Sequence, residues 1–299
     1  MTISATPSRS VLLEACAAAG FDGTAAEPVR IAENEIWRIP GRRGSGRGVI
    51  VRIARPGQWE AAVREVRVAR WLADNDVPAV RVWPVEQPVM GGGRPTTFWA
   101  ELPPHEPGTV RDVVKLLKLL HPLPIPDFPL GPLDPFVRIE ERIAAATSLA
   151  VDDRDWLRQR HTELKERWAQ RPPGLPECVV HGDAWVGNVA RTPEGPVLMD
   201  FERASIGPPE WDLVSTALKV TTTGAVSSEE YAEFCDLYGT DVTQWEGYEL
   251  LAGARALRMT TYAAQYAATR PEWRSEAQYR VECLRGRVSA RPWNWKGIM

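Results

Sequence analysis

The sequence predicts an α+β fold in which a sheet-rich part comes first and a mainly helical part follows. Short β-branched runs separated by turns fill the first hundred residues, and long segments of helix-forming residues dominate the rest. The 299 residues are 44% hydrophobic and 25% charged, which is typical of globular proteins. The character changes at a Pro-Pro pair, so we place one domain at residues 1–102 and the other at residues 103–299.

The first domain is predicted to hold an N-terminal sheet with two helices. In order, the pattern predicts a helix over 8–20, strands over 29–31, 35–39 and 49–54, a helix over 59–73, and strands over 80–83 and 96–102. The glycine-rich stretch 41–48 lacks the Walker pattern and does not join a strand to a helix. It therefore predicts a turn between two strands and not a phosphate-binding loop.

The second domain is predicted to be mainly helical, with one region of strands and turns. In order, the pattern predicts a helix over 110–120, a proline-rich connector over 122–135, helices over 136–150 and 152–170, a strand-and-turn region over 178–212, and mostly helix over 213–287. The strand-and-turn region carries the most informative residues of the chain.

Charge, hydropathy and cysteine usage exclude several classes of protein. The net charge of -3 gives no basic footprint, so we expect no nucleic-acid partner. No apolar run reaches the roughly 18 residues that span a bilayer, and Glu14 interrupts the only apolar run near the N-terminus, so we expect neither a membrane span nor a signal peptide. The four cysteines are scattered, which favours reduced thiols and a cytoplasmic protein.

Two neighbouring segments carry residues suited to phosphoryl transfer. Residues 181–188 read HGDAWVGN, and an apolar strand then ends in Asp200 within the sequence DFE. Phosphoryl transfer from ATP needs a carboxylate to orient the attacking hydroxyl and oxygen ligands to hold Mg²⁺. Asp183 and Asn188 lie on one loop, and Asp200 ends the strand that follows. All three side chains can therefore face a single metal ion.

The pattern HGDxxxxN, followed by an apolar strand and DxE, resembles the catalytic and metal-binding loops of the aminoglycoside phosphotransferase and choline kinase family. The resemblance implies a bilobal protein-kinase-like fold. It also implies that Asp183 is the catalytic residue, that Asn188 and Asp200 bind Mg²⁺, and that His181 supports the loop. The resemblance covers roughly residues 28–295, and its specificity is concentrated between His181 and Asp212.

Asp212 follows the proline-containing segment 207–209, and relatives use an Asp at this place to brace the catalytic loop. The alternative is that Asp212 caps the helix that begins there, because Asp is a favoured N-cap residue. Both roles are compatible with the sequence.

The first domain should supply the nucleotide clamp. Ile50 and Arg52 share one face of a predicted strand. By resemblance to the VAIK strand of protein kinases, Ile50 contacts the adenine, Arg52 contacts the phosphates and Glu65 of the next helix pairs with Arg52. The alternatives are a surface cation at Arg52, and a solvated Glu65 that pairs with Arg64 or Arg67.

Two further segments are expected to contact the nucleotide. The loop over residues 32–35 should cover the phosphates, and it keeps Asn34 but contains no glycine. The connector at Glu101 and Leu102 matches the hinge that binds adenine through its backbone. Backbone contacts do not select a base by side chain, so ATP is expected and GTP remains possible.

The acceptor is expected to be a small molecule and not a protein. Trp185 stands where protein kinases carry a lysine, and the few residues between Asp200 and Pro208 leave no room for an activation segment. Residues 220–254 contain seven acidic residues and no Lys or Arg. This stretch favours a cationic acceptor such as an amino sugar or aminoglycoside-like compound. Its alternative is a solvated acidic surface.

The sequence thus predicts an ATP-dependent O-phosphotransferase that uses Mg²⁺. Alternatives of related chemistry are a choline, amino-alcohol or other metabolite kinase. A nucleotide-binding pseudokinase is a further alternative, supported by the glycine-free loop at Asn34. A metal hydrolase that uses His181 and Asp183 lacks a second histidine at ligand spacing. The oligomeric state is not predicted.

Overall fold

The computed structural model describes residues 9–31, 34–41 and 47–298. The chain packs into two compact units, the first comprising Met1–Gly131 and His181–Ser205, and the second Pro132–Val180 and Ile206–Met299. This division follows packing and not chain order, and the boundary at residue 102 stays a prediction. Residues 32–33 of the predicted phosphate loop and residues 42–46 of the predicted turn lie outside the described residues.

An antiparallel five-stranded sheet forms the centre of the first unit. Its strands are β1 (Glu27–Ile31), β2 (Glu35–Ile39), β3 (Val49–Ile53), β4 (Val89–Gly91) and β5 (Arg94–Ala100). They lie in the order β1-β2-β3-β5-β4. Along β3, Val49, Val51 and Ile53 are buried, whereas Ile50 and Arg52 are half-buried on the opposite face. The alternation of β-branched residues therefore aims Arg52 away from the core of this sheet.

Two helices pack against the sheet of the first unit. Helix α1 (Arg9–Ala18) lies beside β4 and buries Leu12, Ala15 and Cys16. Helix α2 (Trp59–Asp74) packs on β5 and buries an apolar stripe that also includes Glu65. A charged residue within a buried stripe requires a partner of opposite charge.

The segment 80–83 does not form the predicted strand. Val80 N–H donates to the Leu198 carbonyl, and Trp83 N–H donates to the Phe98 carbonyl, each at 2.9 Å. The segment therefore divides its hydrogen bonds between two different strands, and the bridges here are isolated ones, of Val82 with Trp99 and of the preceding Ala79 with Leu198. No continuous ladder can form under that division, and the prediction of a strand here is wrong.

A three-stranded sheet completes the first unit and carries the informative loops. It contains β6 (Glu106–Pro107), β8 (Val189–Thr192) and β9 (Gly195–Leu198), in the order β6-β8-β9. The β8–β9 hairpin begins directly after Asn188 and ends two residues before Asp200. Helix α3 (Val110–Leu120) follows β6 and starts with a capping box, in which Thr109 and Asp112 exchange hydrogen bonds.

The second unit is mainly helical, as predicted. Its helices are α4 (Ile139–Ala145), α5 (Val151–Ala169), α6 (Glu210–Thr221), α7 (Ser228–Tyr238), α8 (Tyr248–Thr269) and α9 (Arg274–Leu284), and its strands are β7 (Cys178–Val180) and β10 (Ser205–Gly207). Helix α8 contacts α4, α5, α6 and α9 and forms the centre of this unit. Within the described ranges, no helix has the length and hydropathy needed to cross a membrane.

Candidate active site

His181 anchors the loop that carries the HGD sequence. The ring is 1% exposed, and its Nε2 lies 2.8 Å from the Met199 carbonyl, to which only a protonated nitrogen can donate. Nδ1 is then free of a proton and accepts the Asp183 N–H at 3.3 Å. One neutral tautomer satisfies both contacts, and the imidazole also packs edge-on against Phe201. His181 therefore joins the two predicted loops.

Gly182 is required by both backbone conformation and space. Its φ is +83°, which favours glycine. A Cβ atom at this position would also clash with the Arg203 carbonyl oxygen. The loop before Asp183 can therefore approach the segment after Asp200 only because this residue has no side chain.

Asp183 and Asn188 are brought together by a short 3₁₀ turn. The Asn188 Nδ2 atom donates to the Asp183 carbonyl at 2.9 Å and lies 3.4 Å from Asp183 Oδ2. The amide nitrogen is thus directed at the Asp183 backbone, which leaves the amide oxygen to accept or to bind a cation. Asp183 is half-buried, so its carboxylate remains accessible from solvent.

Asp200 follows β9 in a left-handed backbone conformation, with φ at 63°. Although 44% of its side-chain surface is exposed, the Oδ1 atom is buried and has no hydrogen-bond partner among the described residues. Burial, and then the neighbouring Glu202, raise the pKa of Asp200 above its ordinary value. An orphaned carboxylate oxygen in a negatively charged setting is a suitable ligand for a cation.

Arg52 contacts three carboxylates. Its guanidinium forms an ion pair with Glu65, donates to Glu202 Oε2 at 2.8 Å and lies 3.9 Å from Asp200 Oδ1. The side chain is only 14% exposed. The predicted Arg52–Glu65 pair is thus present, and Arg64 instead donates to the Glu202 carbonyl at 3.0 Å. The alternatives of a surface Arg52 and a solvated Glu65 are wrong.

Charge is unbalanced around this arginine. Burial lowers the pKa of Arg52, but Glu65, Asp200 and Glu202 outweigh burial and raise it. Burial also raises the pKa of Glu65, to about 8, with a further increase from Asp200 and Glu202 that the nearby Arg52 only partly opposes. Arg203 Nε also lies 3.6 Å from Glu202 Oε1, so two arginines face the three acids of this cluster.

The recess beside Arg52 contains residues from several elements of the first unit. Asn34 lies there at the end of the loop before β2, together with Thr97 of β5 and Glu202. Its other lining residues are small or flexible side chains around the start of α2, namely Ala54, Arg55, Gln58, Ala61 and Ala62. Asn34 thus lies where the sequence predicts a contact with phosphates, and that role stays a prediction.

Glu202 is the main residue of this site to which the sequence assigned no role. It was visible as the final acid of the DFE sequence, two residues after Asp200. Its pairing with Arg52 joins residues that are 150 positions apart, which no local pattern can reveal. The DxE spacing was therefore the available signal, without an indication of the partner.

The predicted adenine-binding hinge at Glu101 and Leu102 can be examined by the hydrogen bonds that its backbone N–H groups already make. Glu101 N–H already donates to the Gly48 carbonyl at 3.0 Å, and its carboxylate accepts from Arg38 and from Gly48 N–H. Leu102 N–H has no backbone partner among the described residues, and the following Pro103 has no N–H. Leu102 is therefore the donor that this connector can offer to a base, and the hinge role stays a prediction.

Ile50 shares its strand face with Arg52, as predicted, and lies opposite Trp99 and Arg38 in the ladder.

Asp212 is fully buried in the first turn of α6, whose N-cap is Pro209, so the N-cap alternative is wrong. Arg255 Nη2 lies 4.0 Å from its Oδ1. Contact of Ile50 with adenine and bracing of the catalytic loop by Asp212 stay predictions.

The donor set fits Mg²⁺ better than a metal held by protein ligands alone. Within the described ranges, no group of three or more His, Cys, Asp or Glu side chains is arranged to hold a metal ion. Mg²⁺ keeps several waters and binds through one or two carboxylates and substrate phosphates. The orphaned Asp200 Oδ1 and the Asn188 amide oxygen match that requirement.

A family model described as the phosphotransferase enzyme family matches residues 28–251. The chain belongs to this family. The predicted membership and the predicted bilobal, α+β, protein-kinase-like fold are both confirmed. The protein is accordingly a phosphotransferase. No curated protein matches the chain.

Solved structures of small-molecule kinases are similar in fold, each with a TM-score of 0.61. A choline/ethanolamine kinase family protein from Mesorhizobium loti is 19% identical, and the match covers 94% of each chain. Aminoglycoside phosphotransferase APH(3'')-Id from Streptomyces rimosus is also 19% identical, with 82% of this chain and 96% of that chain covered. Amicoumacin kinase hAmiN, solved with AMP-PNP and Ca²⁺, is 14% identical over 86% and 89% of the two chains.

The acidic stretch over residues 220–254 is partly structural. Glu230 forms a capping box with Ser227 at the start of α7. Asp241 accepts hydrogen bonds from Tyr231 Oη at 2.7 Å and from Thr243 N–H at 2.9 Å. Two of the seven acids therefore stabilise the local fold, and the stretch alone supports a cationic acceptor less strongly than its sequence indicates.

Proposed function

We propose that this kinase is an ATP- and Mg²⁺-dependent O-phosphotransferase whose acceptor is a small hydroxylated amine, such as an amino sugar or aminoglycoside-like compound. One observation carries the proposal. The carboxylate of Asp183, the amide of Asn188, the orphaned oxygen of Asp200 and the guanidinium of Arg52 belong to one compact unit. Asn188 contacts Asp183, Asp200 Oδ1 lies 3.9 Å from Arg52 Nη2, and the N–H of Met199, next to Asp200, donates to the Asn188 carbonyl at 2.9 Å. These are the parts that phosphoryl transfer requires.

Asp183 orients the acceptor hydroxyl and accepts its proton as the new O–P bond forms and the bond between the γ-phosphorus and the β–γ bridging oxygen breaks, which releases ADP. The Asn188 amide donates to the Asp183 backbone, and His181 Nδ1 accepts the Asp183 N–H, so the carboxylate is held at a fixed place. Such positioning supplies much of the rate enhancement, because phosphoryl transfer involves little covalent chemistry by the protein.

Arg52 holds the nucleotide phosphates through its guanidinium fork. Glu65 fixes the guanidinium from the side of α2. Glu202 accepts from another part of the fork at 2.8 Å. Phosphate oxygens are acceptors of the same kind and replace Glu202 at that part of the fork.

Asn188 and Asp200 are the residues that would hold Mg²⁺, which when bound neutralises the charge that develops on the phosphates. Burial, and then the charge of Glu202, raise the pKa of Asp200, and a bound cation would favour its ionised form. The similarity to amicoumacin kinase, which was solved with AMP-PNP and Ca²⁺, supports binding of a nucleotide and a divalent cation.

An ADP-release assay with ATP and Mg²⁺ tests the proposal on a panel of aminoglycosides, amino sugars, choline-like amines and uncharged alcohols. The Asp183→Asn variant serves as the matched blank, because it preserves size and removes the base. We expect release that is stimulated by an aminated ring compound, abolished by EDTA and at least about 10³-fold slower in the variant.

Full turnover in Asp183→Asn would contradict the assigned role of this residue. ATP binding that requires Mg²⁺, without stimulated release by any acceptor, would favour the pseudokinase alternative. Stimulation by choline-like amines alone would replace the amino-sugar acceptor with an amino alcohol.

A further inference from the structure

Trp185 is a large aromatic residue on the loop between Asp183 and Asn188, and it has no role in the site described above. Its side chain is 38% exposed, whereas Trp37 and Trp99 of the same unit are 2% and 6% exposed. Single exposed apolar residues are common, so exposure alone is not a signal of function. Two further features point to a function for Trp185, namely its position two residues after Asp183 and the packing of its ring against Gly187.

Trp185 lies close to the catalytic Asp183 along the loop. It lies two residues after Asp183, which limits the distance between their Cα atoms to about 7 Å. Ala184 between them is 1% exposed, Asp183 is half-buried and Trp185 is exposed. Asp183 and Trp185, which flank the buried Ala184, thus both retain surface that solvent can reach, and the backbone at Trp185 is extended (φ -162°, ψ 167°).

The indole is held in place by the chain around it. A Cβ atom on Gly187 would clash with the six-membered part of the Trp185 ring, so the ring lies against the bare backbone of that glycine. Gly108 N–H donates to the Val186 carbonyl at 3.2 Å and to the Val189 carbonyl at 2.8 Å, which fixes the turn on its other side. The ring is therefore presented in a defined orientation before any ligand binds.

The same Trp-x-Gly arrangement occurs in the second unit with a different outcome. Trp245 lies against Gly247, but its Nε1 donates to the Pro173 carbonyl at 2.8 Å and Gly174 packs close to the ring. There the indole is half-buried and its N–H is used within the fold, which gives the ring a structural role. At Trp185 more than a third of the side chain is left to solvent beside the catalytic carboxylate.

We propose that Trp185 is the acceptor platform of this kinase, on which the ring of a cyclic hydroxylated acceptor packs so that its hydroxyl reaches Asp183. This inference rests on the proposed function and names the acceptor class as cyclic. The C–H face of a saturated ring matches a flat indole face in area, whereas an acyclic amino alcohol covers only part of it. A rigid platform also lowers the entropic cost of ordering the acceptor.

The test compares Trp185→Leu and Trp185→Phe with Trp59→Leu, a matched control because Trp59 is 37% exposed in the same unit and lies on α2. The acceptors are glucosamine, 2-deoxystreptamine and kanamycin as cyclic compounds, with choline and ethanolamine as acyclic ones. In Trp185→Leu we expect KM for the cyclic acceptor to rise about 10-fold, with kcat and the KM for ATP within about 2-fold.

The conservative and control variants separate recognition from folding. Trp185→Phe keeps a flat face and should stay within about 3-fold of the parent KM, and Trp59→Leu should not change it. An unchanged acceptor KM in Trp185→Leu, a preference for an acyclic acceptor, or a fall in melting temperature accompanied by a raised KM for ATP would overturn the inference.

Binding measurements distinguish failure of this inference from failure of the proposed function. Isothermal titration of the cyclic compounds into Asp183→Asn protein, with and without Trp185→Leu, reports the platform without turnover. Weaker binding in the double variant, with no turnover by the parent, would uphold the platform and overturn the phosphotransferase. Turnover by the parent, with binding that does not depend on Trp185, would uphold the phosphotransferase and overturn the platform. If no cyclic compound is bound or turned over, both proposals are overturned.

Discussion

Two buried arginines, one in each compact unit, have opposite electrostatic surroundings. Arg280 of α9 is 4% exposed, pairs with Glu276 at 2.8 Å and donates to the carbonyls of Met259 and Lys296. Glu276 Oε1 also accepts Lys296 N–H at 3.0 Å. One cation thus meets one carboxylate, and backbone groups satisfy the remaining donors and acceptors.

Arg52 is in a different position, because three carboxylates surround it and one of their oxygens has no hydrogen-bond partner among the described residues. Burial lowers the pKa of Arg280, and its single acid only partly opposes that effect. At Arg52 the three acids outweigh burial, and the pKa is raised. Arg280 and Glu276 are one cation and one acid, whereas at Arg52 two arginines face three acids and Asp200 Oδ1 lacks a hydrogen-bond partner among the described residues, which indicates a site prepared for a further cation.

Among the tests of the contrast between Arg52 and Arg280, the largest expected effect is on the turnover of an Asp200 variant. Asp200→Asn should lower turnover by about 10³-fold, because it removes a charged ligand for Mg²⁺. The raised pKa of Asp200 means that its ionised form costs folding stability at neutral pH. The side chain is 44% exposed, so solvent screens this cost and the variant should gain no more than about 1 kcal/mol in nucleotide-free protein.

Kinetics and urea unfolding of Asp200→Asn measure the two effects in parallel. Asp76→Asn is the matched control, since Asp76 also has a positive φ, at 57°, and lies in the same unit. A loss of more than about 1 kcal/mol in Asp200→Asn alone would identify Asp200 as a structural residue and remove the contrast with Arg280.

The second effect is expected on stability alone. Arg280→Met removes one partner of a buried pair and leaves Glu276 without compensation, so we expect a loss of about 3 kcal/mol in the free energy of unfolding. Arg287→Met is the control, because Arg287 is 53% exposed and its pair with Glu282 should contribute at most about 1 kcal/mol. Equal losses in the two variants, measured by urea unfolding, would show that the buried Arg280 network contributes no more to the free energy of unfolding than the exposed Arg287 pair.

Much of the site could be predicted because its parts are close in sequence. The five-residue separation of Asp183 and Asn188 and the hairpin before Asp200 are local patterns, and the structure brings these residues together. The shared face of Ile50 and Arg52 follows from the period of a strand. The Arg52–Glu65 pair is a contact between neighbouring elements, and its prediction also relied on the family resemblance.

The remaining features depend on contacts that have no local pattern. Glu202 reaches Arg52 across 150 positions, and segment 80–83 divides its hydrogen bonds between β5 and β9. An alternating run of apolar residues predicts a strand whether the segment pairs with one strand or with two. A segment that pairs with two strands, as 80–83 does, is therefore wrongly predicted to be a continuous strand. The exposure of Trp185 and the packing of its ring against Gly187 likewise do not follow from composition.

The smallest expected effect concerns a titratable group of the second unit that stays neutral. His161 is 6% exposed, packs near Phe136 and has Glu140 at 3.7 Å from Nδ1. Burial lowers its pKa, and the exposed Glu140 opposes this only in part. Because the unfolded chain takes up a proton below about pH 6.5 and the folded chain resists it, stability should fall as pH decreases from 7 to 5.

Unfolding in urea at pH 7 and pH 5 measures this loss, with His161→Gln expected to make the pH dependence shallower. His105→Gln is the control, because that ring is exposed in the first unit. A pH dependence that is unchanged in His161→Gln would mean that other groups cause the acid sensitivity. A shallower dependence would instead show that His161, like Arg280, is a group whose protonation state contributes to folding stability, in contrast to the acids around Arg52.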